Sequence, residues 1–257
     1  MRRVVATVEE APVSDDPAPS SWAEFLDAIR AARKSLGDPS PIWFRGQAKS
    51  EYELVPSLLR YRDGVAKEQA IFDEYERSAA HIQGERKDEW DMLNDMQHYG
   101  IPTRLLDWTD VLGIAIAFAL YDSQDDERDS AIFVLDPLGL NDMSGRRIIH
   151  RPAKDPDFGY KDIYWHGIPF SATYPIAIDG TLHNARLRAQ NGVFTIHGRN
   201  AAPLETQAAG VVRKVILPSR VKPEAREFLE HANLNSFSIY PDIVGMAGHI
   251  RRKHLGG

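Results

Sequence analysis

Residues 111–121 read Val-Leu-Gly-Ile-Ala-Ile-Ala-Phe-Ala-Leu-Tyr, the longest apolar run in the chain. A helix that is apolar all round is stable only with apolar neighbours on every side. The run is shorter than the roughly 20 residues that span a bilayer, so no membrane role is expected. Asp110 stands where an N-cap belongs, and a buried helix to about residue 121 follows. Burying a helix on all faces takes a sizeable core. A chain of 257 residues, 43% apolar and 26% charged, can build one without disulfide or metal staples.

The rest of the pattern is a set of helices separated by short strands. Residues 8–20 are rich in Glu, Asp, Pro and Ser, so residues 1–20 are expected to form a disordered tail ahead of one domain at 21–257. The start lacks the apolar segment of a signal peptide. Ser21 and Glu24 make a capping box, Trp22, Phe25, Leu26 and Ile29 follow at helical spacing, and Gly37 gives a stop. A helix is predicted over 21–36. Residues 41–45 read as a strand ended by Gly46. Amphipathic helices are predicted over 65–83 and 88–99, strands over 131–135, 192–197 and 211–217, and helices over 223–232 and from about 242. Residues 136–185 show no clear period and read as a lid, an insertion or a stretch where periodicity fails as a guide. Without a regular βαβ rhythm, the expected fold is α+β: a single domain with a short mixed or antiparallel sheet flanked by helices.

Composition removes several function classes. There is no cysteine, which excludes disulfides, thiol catalysis and Cys-held metals and points to a cytoplasmic protein. The nine histidines fall into no metal-binding spacing, and no metal is expected. There is no GxGxxG, P-loop, HExxH or GxSxG pattern. A formal net charge of −6 argues against coating nucleic acid by bulk charge, while leaving room for a local basic groove.

Three segments concentrate hydrogen-bonding chemistry. In Trp43-Phe44-Arg45-Gly46-Gln47, a guanidinium leaves an apolar strand beside a glycine that lets a ligand or another backbone approach. Arg45 suits a phosphate or carboxylate, and Gln47 can read an amide or a base edge. The alternative for Arg45 is a buried structural ion pair. The second segment runs from Met96 to Thr109 and reads as a turn between two helices. His98 is a candidate general acid or base. Arg104 and Asp107, three apart, read best as a pair within one helical turn, and Trp108 as core. In the third, Arg186, Arg188 and Gln190 precede Gly192 and a strand; alone it reads as an edge strand with solvated arginines. Tyr160, Tyr164, Trp165 and His166 suit either a stacking platform or the anchoring of a long loop, and anchoring is preferred.

Together these segments resemble the FRG domain, a bacterial family named for its Phe-Arg-Gly signature. The resemblance rests on Phe44-Arg45-Gly46-Gln47, on Leu54-Val55-Pro56-Ser57-Leu58-Leu59-Arg60, and on Gln97-His98-Tyr99-Gly100-Ile101-Pro102-Thr103-Arg104-Leu105-Leu106-Asp107-Trp108-Thr109. It continues in Ala189-Gln190-Asn191-Gly192-Val193-Phe194 and Tyr240-Pro241-Asp242. The Phe-Arg-Gly step is also similar to the first-strand arginine of ADP-ribosyltransferases, which holds NAD. The likeness implies a nucleotide-using transferase or toxin-like effector with NAD as substrate. Catalytic roles then fall to Arg45, His98 and Gln190. Gln190 takes the ribose-orienting place usually held by Glu, and Gln47, Gln97, Tyr99, Arg104, Asp107 and Arg186 complete the pocket. Implied partners are a nucleotide or NAD-like small molecule and a macromolecular acceptor. Two residues after Gln190 stands Gly192 rather than an acid, with Glu205 as a substitute. The competing expectation is a non-catalytic nucleotide- or nucleic-acid-binding module. A third is hydrolysis with His98 and Asp107 as acid–base partners.

Overall fold

The structure, a computed structural model, describes residues 18–83, 87–121, 127–155, 157–169, 172–180 and 185–255. Most of the expected N-terminal tail, 1–17, lies outside the described residues. Residues 18–20 do not belong to a tail: Arg220 donates to the carbonyls of Ala18 and Pro19, and Ser20 donates to Glu24.

In chain order the elements begin with α1 (Trp22–Ser35), β1 (Trp43–Gln47), α2 (Gly64–Gln83), α3 (Glu89–His98), β2 (Leu105–Thr109), α4 (Leu112–Tyr121), β3 (Ser130–Leu135) and α5 (Pro137–Asp142). They continue with β4 (Ile176–Asp179), α6 (Ala185–Ala189), β5 (Gly192–Ile196), α7 (Leu204–Gln207), β6 (Val212–Leu217), α8 (Lys222–His231), α9 (Ser236–Ile239) and α10 (Ile243–Leu255). The fold is α+β. One six-stranded sheet has the order β4-β5-β2-β1-β3-β6, and every strand pair in it is antiparallel. Among the described residues no helix is long and apolar enough to cross a membrane.

Alternation along the strands sorts side chains into three cores. Phe44, Ile132, Val134, Val215 and Leu217 face α1, α4 and α8. Trp43, Leu106, Trp108, Phe133 and Leu135 face the other way, toward Leu140 and Leu204. Leu105, Ile176, Ile178, Phe194 and Ile196 pack against α2, α3 and the aromatics Phe158, Tyr160 and Tyr164. β3 is buried on both faces, which is why its sequence is a continuous apolar run. α4 is nearly all buried, as its composition requires. Ser21 caps α1, though Glu24 reaches back to Ser20 rather than closing the capping box.

Two expectations change. Residues 105–109 are a strand, not part of a turn between helices: β2 pairs with β5 along its whole length. The described part of 136–185 is not structureless. It supplies α5, a π-helical turn at Asp162–His166 and the edge strand β4, and its buried aromatics fill a core. Irregularly spaced aromatics carry no period, so a periodic reading passes over them.

Candidate ligand site

β1 and β2 meet at a single residue pair, Phe44 with Thr109. Their outer neighbours are zipped fully, β1 to β3 and β2 to β5. From the Phe44–Thr109 contact the two central strands diverge, and the Arg45 guanidinium donates to the Asp107 carbonyl across the gap. A side chain here does what the missing ladder would have done for that carbonyl.

A cavity of about 540 Å³ opens along this wedge. Residues 44–49 of β1 and the loop after it form one wall, and Asp107, Trp108 and Thr109 of β2 form another. Gln97 and His98 come from the last turn of α3, Arg186 and Gln190 from α6 and the turn after it, and Tyr240 from the residue after α9. The volume is in the range of small-molecule pockets, roughly 300–1,000 Å³. Among the described lining residues Arg45, Lys49 and Arg186 are cationic and Asp107 alone is anionic, a balance that favours an anionic ligand. Among the described residues no group of three or more His, Asp or Glu side chains could hold a metal ion. The cavity's guanidinium, ammonium and amide donors suit phosphate or carboxylate oxygens instead.

The polar residues are ordered by one another. Gln97 donates to Asp107 Oδ2 at 2.9 Å and accepts from the Thr103 hydroxyl. Asp107 Oδ2 lies 3.7 Å from Arg45 Nη1. Thr109 Oγ1 donates to the Gln190 carbonyl at 2.7 Å, and Gln190 Nε2 donates to the Ile239 carbonyl at 3.1 Å. That bond fixes which way the amide points, leaving its oxygen as the acceptor for a ligand. Asn191, next in line, sits at φ +44°, a left-handed conformation that Asn tolerates. Gln47 is buried at 8% exposure, and its Nε2 has no hydrogen-bond partner. Two rings flank the site with cations over them: Lys49 Nζ is 5.5 Å from the Tyr52 centroid, and Arg186 Cζ is 4.5 Å from that of Tyr240. Cation–aromatic pairs of this kind present flat faces on which a base can stack.

Of the nine residues singled out in the sequence, Arg45, Gln47, Gln97, His98, Asp107, Arg186 and Gln190 line this cavity. Tyr99 and Arg104 do not. Tyr99 is exposed, its ring edge-on to His98. Arg104 is buried away from the cavity and pairs with Glu68 of α2, with Nε–Oε1 and Nη2–Oε2 both 2.6 Å. Burial opposes its charge, but the bonds and charge of Glu68 outweigh that and raise its pKa. The expected Arg104–Asp107 pair is therefore replaced by two others, Arg104 with Glu68 and Asp107 with Arg45. Three positions along extended chain are about 10 Å apart, too far for one ion pair. Glu205 is also elsewhere: its carboxylate accepts from the Leu54 amide. Lys49, Tyr52, Phe118 and Tyr240 line the cavity without having been singled out as site residues. Only Tyr240 carried a signal, through its place in the family motif.

Residues 40–128 match the model of the FRG domain. The match runs from just before β1 to just after α4 and holds five of the seven expected site residues that line the cavity: Arg45, Gln47, Gln97, His98 and Asp107. Residues 189–194 and 240–242, read as further family motifs, lie beyond it. No curated protein and no solved structure matches the chain.

Proposed function

We propose that this protein binds a nucleotide-class ligand in the cavity at the β1–β2 wedge and uses NAD as a glycosyl donor, in the manner of an ADP-ribosyltransferase. The observation that carries the reading is the meeting of Arg45 from β1, Asp107 from β2 and Gln190 from the turn before β5 around one cationic cavity. Arg45, Lys49 and Arg186 suit the pyrophosphate, and Tyr52 and Tyr240 offer faces for the bases. The Gln190 amide oxygen suits a ribose hydroxyl.

In the reaction the bond from ribose C1′ to the nicotinamide nitrogen breaks. The bonding electron pair leaves with neutral nicotinamide, and C1′ becomes oxocarbenium-like. An acceptor oxygen or nitrogen, from water or a macromolecule, bonds to C1′ and gives up its proton to His98 or Asp107. Asp107, held by Gln97 at 2.9 Å, is placed to stabilise the developing positive charge.

The test is nicotinamide release from NAD by wild type and Arg45→Ala, with and without cell extract. Release by wild type and its loss in the variant is the expected result, and dependence on extract identifies a macromolecular acceptor. No release in either condition refutes the transferase. Thermal stabilisation by nucleotide without turnover would then identify a binding module.

A further inference from the structure

A second cavity, of about 430 Å³, lies at the far end of the β2–β5 ladder. Arg104 precedes β2 and Arg199 follows β5, whereas the first cavity takes Thr109 and Gln190 from the opposite ends of these strands. The two cavities share no lining residue.

Tyr164 and Trp165 line the second cavity from adjacent positions in the π-helical turn Asp162–His166. Tyr164 is 5% exposed, and neither its hydroxyl nor the buried indole N–H of Trp165 has a hydrogen-bond partner. Buried polar groups are nearly always paired, so two unpaired donors on residues that line one cavity point to a ligand. Single π-helical turns are frequent at functional sites. Burial raises the Tyr164 phenol far above its usual range, so the hydroxyl remains a donor.

The charges point the same way. Arg104 and Glu68 neutralise each other, and Glu68 also accepts from the Tyr160 hydroxyl. Asp63 faces Lys67 at 3.9 Å. Arg62 and Arg199 are exposed and make no ion pair among the described residues. Two guanidiniums, a phenol and an indole N–H supply positive charge and donors, which match a dianion with several oxygen acceptors.

We infer that this second cavity binds a small phosphomonoester, its phosphate held by Arg62 and Arg199 and completed by the Tyr164 hydroxyl and the Trp165 indole. The inference stands apart from the NAD reading, because it uses none of the same residues.

Glycerol 3-phosphate tests it, with glycerol and sodium chloride at matched ionic strength as controls. The expected result is a rise in melting temperature with glycerol 3-phosphate alone, in wild type and equally in Arg45→Ala. The double variant Arg62→Ala/Arg199→Ala should weaken the apparent affinity by roughly tenfold or more. Tyr164→Phe should fold with undiminished stability in the absence of ligand, since its hydroxyl has no partner to lose, yet respond less to the phosphoester. A response that is absent in wild type, or unchanged in the double variant, overturns the inference. So does Tyr164→Phe losing stability while keeping the full response.

Discussion

A Cβ placed on Gly46 would stand 1.9 Å from the Ala115 carbonyl oxygen and 2.8 Å from the Ala119 amide nitrogen. β1 and α4 therefore touch backbone to backbone at the glycine of the Phe-Arg-Gly step. Both atoms belong to a helix ladder, so neither can swing aside as a side-chain tip would. The glycine serves helix-on-sheet packing, and that packing sets where Arg45 leaves the strand. Gly46→Ala should cost about 1–3 kcal/mol or more, as overpacking does in other cores. Urea unfolding of the two proteins measures it. A loss under about 0.5 kcal/mol, the scale of an ordinary surface substitution, would mean that α4 backs away freely.

The Arg104–Glu68 pair is buried on both sides, at 1% and 6% side-chain exposure. Removing one partner leaves the other charge buried alone. Arg104→Met and Glu68→Gln should each lose about 3–5 kcal/mol, at the level of broken buried pairs. The Met/Gln double variant should cost less than the two losses added together, because neither change then strands a charge. Arg104→Lys should not rescue, since Lys cannot make the two-pronged contact to Glu68 while reaching the Gly198 carbonyl at 2.7 Å. Chemical denaturation of the four proteins gives the cycle directly. Additive losses would show that the two side chains do not act as a pair.

The same pair marks where the sequence stops being readable. α1, α2, α4 and β3 are legible because their side chains meet a core with the period of a helix, or fill a strand on both faces. β2 is not, because Arg104 and Asp107 three apart look like neighbours on a helix while five short residues carry too little alternation to say otherwise. Once β2 is a strand, Arg104 is free to reach α2 and Asp107 to reach β1. The polar motifs around Arg45, His98 and Gln190 name much of the cavity lining, since charged and amide groups beside glycines stand out from core. Lys49, Tyr52 and Phe118 do not stand out. They join the cavity only through the divergence of β1 from β2, a tertiary property with no local signature.

His197 follows β5 and is fully buried, with Nε2 3.1 Å from Thr195 Oγ1. Burial, with the nearby charges of Arg45 and Arg104, brings its pKa down to about 3. The imidazole is thus neutral in the folded protein, while in the unfolded chain it takes up a proton near pH 6.5. Its contribution to stability is complete above about pH 6.5 and is lost as the pH falls toward 3, by about 1.4 kcal/mol per unit. His197→Gln should flatten the fall in stability between pH 6 and 4 relative to wild type, with the carboxylates common to both cancelling in the difference. Parallel stability curves for the two proteins would contradict the assignment.

Gln190 separates structure from chemistry at the cavity rim. Its amide nitrogen holds the Ile239 carbonyl of α9, and its own carbonyl is held by Thr109 of β2. Gln190→Ala and Gln190→Glu both remove the bond to Ile239 and should each lose about 1–3 kcal/mol of stability. The transferase reading needs an oxygen acceptor at this position, which Glu keeps and Ala does not. Gln190→Ala should therefore lower nicotinamide release by roughly 10²–10³-fold, the cost of deleting one preorganised transition-state contact. Gln190→Glu should retain much more of the activity despite its loss of stability. Unfolding curves and turnover measured on the same preparations distinguish the two effects. Equal activity losses in the two variants would leave Gln190 as a clamp between α9 and β2 with no part in the reaction.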